Sequence, residues 1–139
     1  MSLNFNPWAV LVAAVSAFLL GGVWYAKPVF GRAWGRANGY TAEQMDAMAK
    51  AGQKHGARVF GVSFFFSLIA AAAFGYAMGP SPQLGDAVCH GVVIGAAFVA
   101  TSFGINYQFA NRTFALWLID GGYHILQFVI FGVVLGLWH

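Results

Sequence analysis

The chain has 139 residues, of which 60% are hydrophobic and only 8% charged, where soluble domains carry about 25% charged residues. A water-soluble globular domain is thereby excluded. The excess of seven Lys and Arg over four Asp and Glu flanks apolar stretches, so it marks the cytoplasmic side of a membrane protein and not a nucleic-acid surface.

The first apolar stretch covers residues 8–25, bracketed by Trp8 and by Trp24 with Tyr25, as an aromatic belt places them. Residues 1–7 contain no Lys or Arg, so the stretch lacks the basic start of a signal peptide and reads as a retained span.

Residues 27–58 follow, a segment too long for a turn. It carries Lys27, Arg32, Arg36, Lys50, Lys54 and Arg58. Within it, Val29, Phe30, Ala33 and Trp34 share one helical face while Arg32 and Arg36 share another, the pattern of a short helix lying in the membrane interface. Asn38 and Gly39 end it. Thr41 and Gln44 form a capping-box pattern that starts a second helix, with Met45, Met48, Ala49 and Gly52 on its apolar side. Asp46 and Lys50 are spaced as an i,i+4 pair. One or two interfacial helices are therefore predicted, serving as a lid, a docking element or a plain connector.

Two further spans cover 59–78 and 84–106. The link 79–83 contains Pro80 and Pro82 and no cation, which predicts a tight antiparallel hairpin. The last span covers 113–138, with Trp117 and Trp138 near its ends. About 20 helical residues cross a hydrocarbon core, so the expected fold is an all-α membrane protein of four transmembrane helices in a single domain. All seven cations fall in the first and third connections. Positive residues favour the cytoplasm, so both termini are placed outside. Gly75 and Gly79, Gly91 and Gly95, and Gly132 and Gly136 form GxxxG pairs. They serve close helix contact either within one bundle or between copies in a homo-oligomer or larger membrane complex.

Ionisable groups inside a bilayer are costly and need a partner or a task. Asp120, His124 and Gln127 are spaced by four and three and so share one face of span four, flanked by Tyr123. Span three carries the same spacing in Asp86 and His90, beside Cys89, the only cysteine. Three readings follow. Asp120 bonds His124 or a neighbouring span and fixes helix register. The Asp and His groups pass protons or bind a polar ligand. Alternatively, His90, His124 and Asp120 hold a metal, although no HExxH-type motif is present. A second polar cluster, Asn106, Tyr107, Gln108, Asn111 and Arg112, is either loop chemistry, a cytoplasmic vestibule leading toward Asp120, or a lipid-headgroup contact for Arg112. Ser16, Ser63, Ser67, Thr101 and Ser102 are expected to bond within or between helices. No sequence motif calls for a cofactor.

The stretches Gly21-Gly22-Val23-Trp24-Tyr25-Ala26-Lys27-Pro28-Val29-Phe30-Gly31-Arg32-Ala33-Trp34 and Ala115-Leu116-Trp117-Leu118-Ile119-Asp120-Gly121-Gly122-Tyr123-His124 resemble the bacterial membrane family called domain of unknown function 1761. Matching positions are Gly21, Trp24, Tyr25, Pro28, Phe30, Gly31 and Trp34, then Ile119, Asp120, Gly122, Tyr123 and His124. The chain departs from the pattern at Ala26-Lys27, where the family shows a single Ser. The resemblance implies a four-span inner-membrane protein, directs attention to Tyr25, Asp120 and His124, and supplies no activity. The expected function is binding or passage of a small solute, proton or lipid-like ligand at an Asp120–His124 site lined by Gln127, Tyr123, His90 and Tyr25. A structural or assembly subunit, and a membrane enzyme acting on a lipid-like substrate, are the alternatives.

Overall fold

A computed structural model describes residues 4–139, without the side chains of residues 53–55. Among the described residues every regular element is helical. Helix α1 (Pro7–Trp24) opens with the Asn6 side chain accepting from the Trp8 and Ala9 N–H groups, and with Pro7 at its first position, where no N–H is needed. A π-helical turn, Lys27–Gly31, leads into the short α2 (Arg32–Ala37). Gly31 is obligatory there, because a Cβ would strike the main chain of Tyr25 and Ala26.

The second helix expected in the connection is not a separate element. It is the start of α3 (Ala42–Met78), one continuous helix of 37 residues opened by the Thr41–Gln44 capping box. At about 1.5 Å per residue α3 is roughly 55 Å long, far more than a hydrocarbon core of about 30 Å. Its apolar part, Gly56–Met78, is by itself long and apolar enough to cross a membrane, and residues 42–55 are additional length. Of the predicted apolar side, Met45 packs on Gly35 of α2, while Met48, Ala49 and Gly52 are exposed. Asp46 pairs with Lys27 at 3.2 Å and not with Lys50. That exposed contact ties the π-helical turn after α1 to α3 and is worth at most about a few tenths of a kcal/mol.

Helix α4 (Leu84–Phe109) and helix α5 (Phe114–Leu137) complete four helices long and apolar enough to cross a membrane. Helix α4 widens to a π-helical segment over Ile94–Ala100. Side chains reach main-chain carbonyls around that segment: Trp117 Nε1 donates to Ala100 O at 2.7 Å, Thr101 Oγ1 to Ala97 O at 2.7 Å and Ser102 Oγ to Phe98 O at 2.6 Å. Asn111, at φ 51, makes the turn into α5, which Thr113 caps through the Leu116 N–H.

The predicted α3–α4 hairpin does not form as a packed pair. Helix α5 is the centre of the bundle: it packs on α4 along one side and on α1 on the other, with α3 against α1. Glycine spacing explains the preference. Gly91 and Gly95 abut the backbone at Phe128 and Ile125, while Gly132 and Gly136 abut the backbone at Ala87 and Leu84. A side chain at any of the four would drive the two helices apart, so these GxxxG pairs serve contact within the chain. On the other side, Ala9, Ala13, Ala14 and Ala17 of α1 are fully buried with Ala71, Phe74, Phe131 and Leu135. This alanine stripe lets α1 lie between α3 and α5.

Candidate functional site at the junction of helices α1, α4 and α5

Asp120 sits six residues into α5, about 9 Å from its first residue, at the end of the bundle where the cations gather. It is 8% exposed. Tyr25, at the end of α1, donates its hydroxyl to Asp120 Oδ1 at 2.7 Å. Tyr107, near the end of α4, donates to Oδ2 at 2.5 Å. Each carboxyl oxygen thus has one donor, and three spans meet on one side chain. Hydroxyl donors to a carboxylate form short, strong bonds, and among the described residues no buried side-chain polar atom lacks a partner.

Aromatic rings enclose this cluster. Tyr25 meets Trp34 of α2 edge-on at 6.3 Å and Tyr123 at 5.6 Å. Trp24 donates its indole N–H to Ile119 O at 3.0 Å and packs on Phe30 at 4.5 Å, so it is turned into the bundle and is not a belt anchor. Gly122 makes room for Trp24, and Gly21 for Tyr123. Tyr123 donates to Ala17 O at 3.1 Å. The two sequence stretches that carry the resemblance are therefore the two halves of one junction.

His124 lies one turn deeper and is not bonded to Asp120. Its Nδ1 pairs with Gln127 Oε1 at 2.7 Å, and Gln127 Nε2 donates to Ser67 Oγ of α3 at 3.4 Å. The ring stacks on Phe103 at 4.9 Å. The polar face predicted on α5 thus divides into two clusters, Asp120 with the tyrosines and His124 with Gln127 and Ser67.

His90 does not join either. It is exposed on α4, and its Nδ1 is engaged with Asp86 O of its own helix at 2.7 Å. Gly91, the next residue, holds the side of α4 that faces α5, and this leaves His90 outside the junction. The metal set His90, His124 and Asp120 is not assembled, and among the described residues no three His, Cys, Asp or Glu side chains come together. Tyr107 and Ser67 are the partners that the spacing on α5 alone could not supply. Tyr107 belongs to the polar cluster at the end of span three, and that cluster is the signal that points to it.

Beside the junction, α4 and α5 part. Their close glycine contact lies in the far half of the bundle, and Trp117 wedges against Gly104 in the near half. The opening is a cleft of about 390 Å³, within the range of about 300–1,000 Å³ common for ligand sites. Tyr107 is part of its wall, together with Ile105, Gln108, Arg112, Phe114 and Trp117. Tyr107 therefore belongs both to the cleft wall and to the Asp120 cluster.

No curated protein and no solved structure matches the chain. A family model does match, over residues 8–136, almost the full length. The chain belongs to the family described as protein of unknown function (DUF1761).

Proposed function

We propose that this protein binds the polar end of a small, lipid-like ligand at the bundle end that carries the cations, with Tyr107, Asp120 and Tyr25 as the polar floor of the site. One observation carries the reading: Tyr107 both walls the cleft and donates to the buried Asp120. Rotation of its hydroxyl toward the cleft would free an oxygen of Asp120 for a ligand donor. Membrane-embedded carboxyls are expensive, and a task at the site accounts for Asp120 better than chance placement. Lys and Arg asymmetry supports an inner-membrane location with this end in the cytoplasm and both termini outside.

The test is co-purification. The wild-type protein, extracted in mild detergent and analysed by mass spectrometry, is expected to carry a small molecule that Asp120→Asn loses while its helix content is unchanged. Equal ligand content in both proteins would overturn the proposal. A second reading, in which the cluster only fastens three spans, is favoured by the complete pairing of buried polar groups. It predicts a loss of stability in Asp120→Asn and no ligand in either protein.

A further inference from the structure

The rim of the α4–α5 cleft carries a cation without an acidic partner. Arg112 is exposed, and the single ion pair among the described residues is Lys27 with Asp46. The backbone fixes its place: Asn111 adopts the left-handed conformation and the Arg112 N–H donates to Tyr107 O at 2.8 Å. Gln108 stands beside it in the lining, which contains no Asp or Glu. Below this rim the wall is formed by Ile105, Phe114 and Trp117, with Ile105 60% and Phe114 67% exposed. A guanidinium above an exposed apolar wall, at the boundary of a span, has the polarity order of an anionic amphiphile. Arginine's planar fork suits phosphate oxygens.

We propose that the cleft holds an anionic phospholipid, with its phosphate on Arg112 and Gln108 and an acyl chain along Ile105, Phe114 and Trp117. This goes beyond the reading above: it shares the cleft with that reading, places an anionic head group on the Arg112 rim and not on the Asp120 floor, and does not require Asp120.

The test is native mass spectrometry of the full chain in mild detergent. The probes are short-chain phosphatidylglycerol, the same chains on phosphatidylcholine, and inorganic phosphate. Phosphatidylglycerol adducts are expected to exceed phosphatidylcholine adducts by about fivefold, the order of the effect of one basic residue at an anionic surface. Arg112→Gln is expected to bring the ratio near one, and Arg112→Lys to keep most of it. Ile105→Trp, which fills the apolar wall and leaves the cation, is expected to reduce adducts of both lipids. Millimolar inorganic phosphate is expected to leave the lipid adducts in place.

A folded Arg112→Gln that keeps the preference overturns the proposal, and so does displacement of lipid by inorganic phosphate. Asp120→Asn separates this inference from the reading above. An unchanged lipid preference in Asp120→Asn supports the rim site, and loss of that preference in a folded Asp120→Asn overturns its independence of Asp120. Loss of the co-purifying ligand in Asp120→Asn, with the preference intact in Arg112→Gln, supports the floor and overturns the rim.

Discussion

At the scale of single residues, Asp120 is satisfied from both sides by tyrosine hydroxyls of two other spans. Removing one donor leaves a carboxyl oxygen unpaired in a largely apolar setting. Tyr25→Phe or Tyr107→Phe is expected to lower stability by about 1–2 kcal/mol, between the modest average for polar bonds in membranes and the larger value for charge-assisted ones. Thermal unfolding in detergent measures it, and no change in either variant would mean that the bonds are not formed in the folded protein. Gln127→Leu removes a partner from both His124 and Ser67 and is expected to cost a comparable amount by the same assay. The spacing of Asp120, His124 and Gln127 made their shared face legible in the sequence. Their partners were not legible, because periodicity within one helix says nothing about which side chain of another helix stands opposite. His90 shows the same limit: DxxxH spacing is equal on both helices, yet only one of the two faces turns inward.

At the scale of elements, the glycines divide by what faces them. Gly91 and Gly132 meet the backbone of the opposing helix, whereas Gly61 in α3 has open space. Gly91→Ala and Gly132→Ala are expected to destabilise the bundle by about 1–3 kcal/mol, the usual cost of overpacking. Gly61→Ala is expected to stabilise it by up to about 1 kcal/mol, since alanine is the better helix former. Equal effects in all three would contradict the α4–α5 packing. The four spans and the Thr41 cap could be read from hydropathy and from one short motif. Two other features could not. The fusion of the amphipathic helix with span two left no break for the sequence to reveal: Gln53 to Gly56 contains no proline and just one glycine. The order of helices in the bundle was also hidden, because a short 79–83 link allows neighbours to pack without compelling them, and the glycines of α4 and α5 decide otherwise.

At the scale of the whole molecule, the cations, the Asp120 junction and the α4–α5 cleft gather at one end, while Trp8 and Trp138 mark the other. This polarity gives the orientation a direct check. A C-terminal reporter that works only outside the cytoplasm is expected to be active, and a cytoplasmic reporter at the same position silent. The reverse result would turn the cleft to the outer leaflet, away from the membrane surface that carries most anionic charge.

The proposed function requires a ligand in the cleft beside Tyr107, whose hydroxyl bonds a carboxyl held by three spans. An experimental structure of the protein in a disc of its native lipids tests this most directly. Non-protein density is expected in the cleft between α4 and α5, with its polar end beside Tyr107 and Arg112 and with Tyr25 still bonded to Asp120. A cleft filled by protein side chains or bulk solvent alone, with Asp120 closed off between Tyr25 and Tyr107, would contradict it and leave the junction as a fastening.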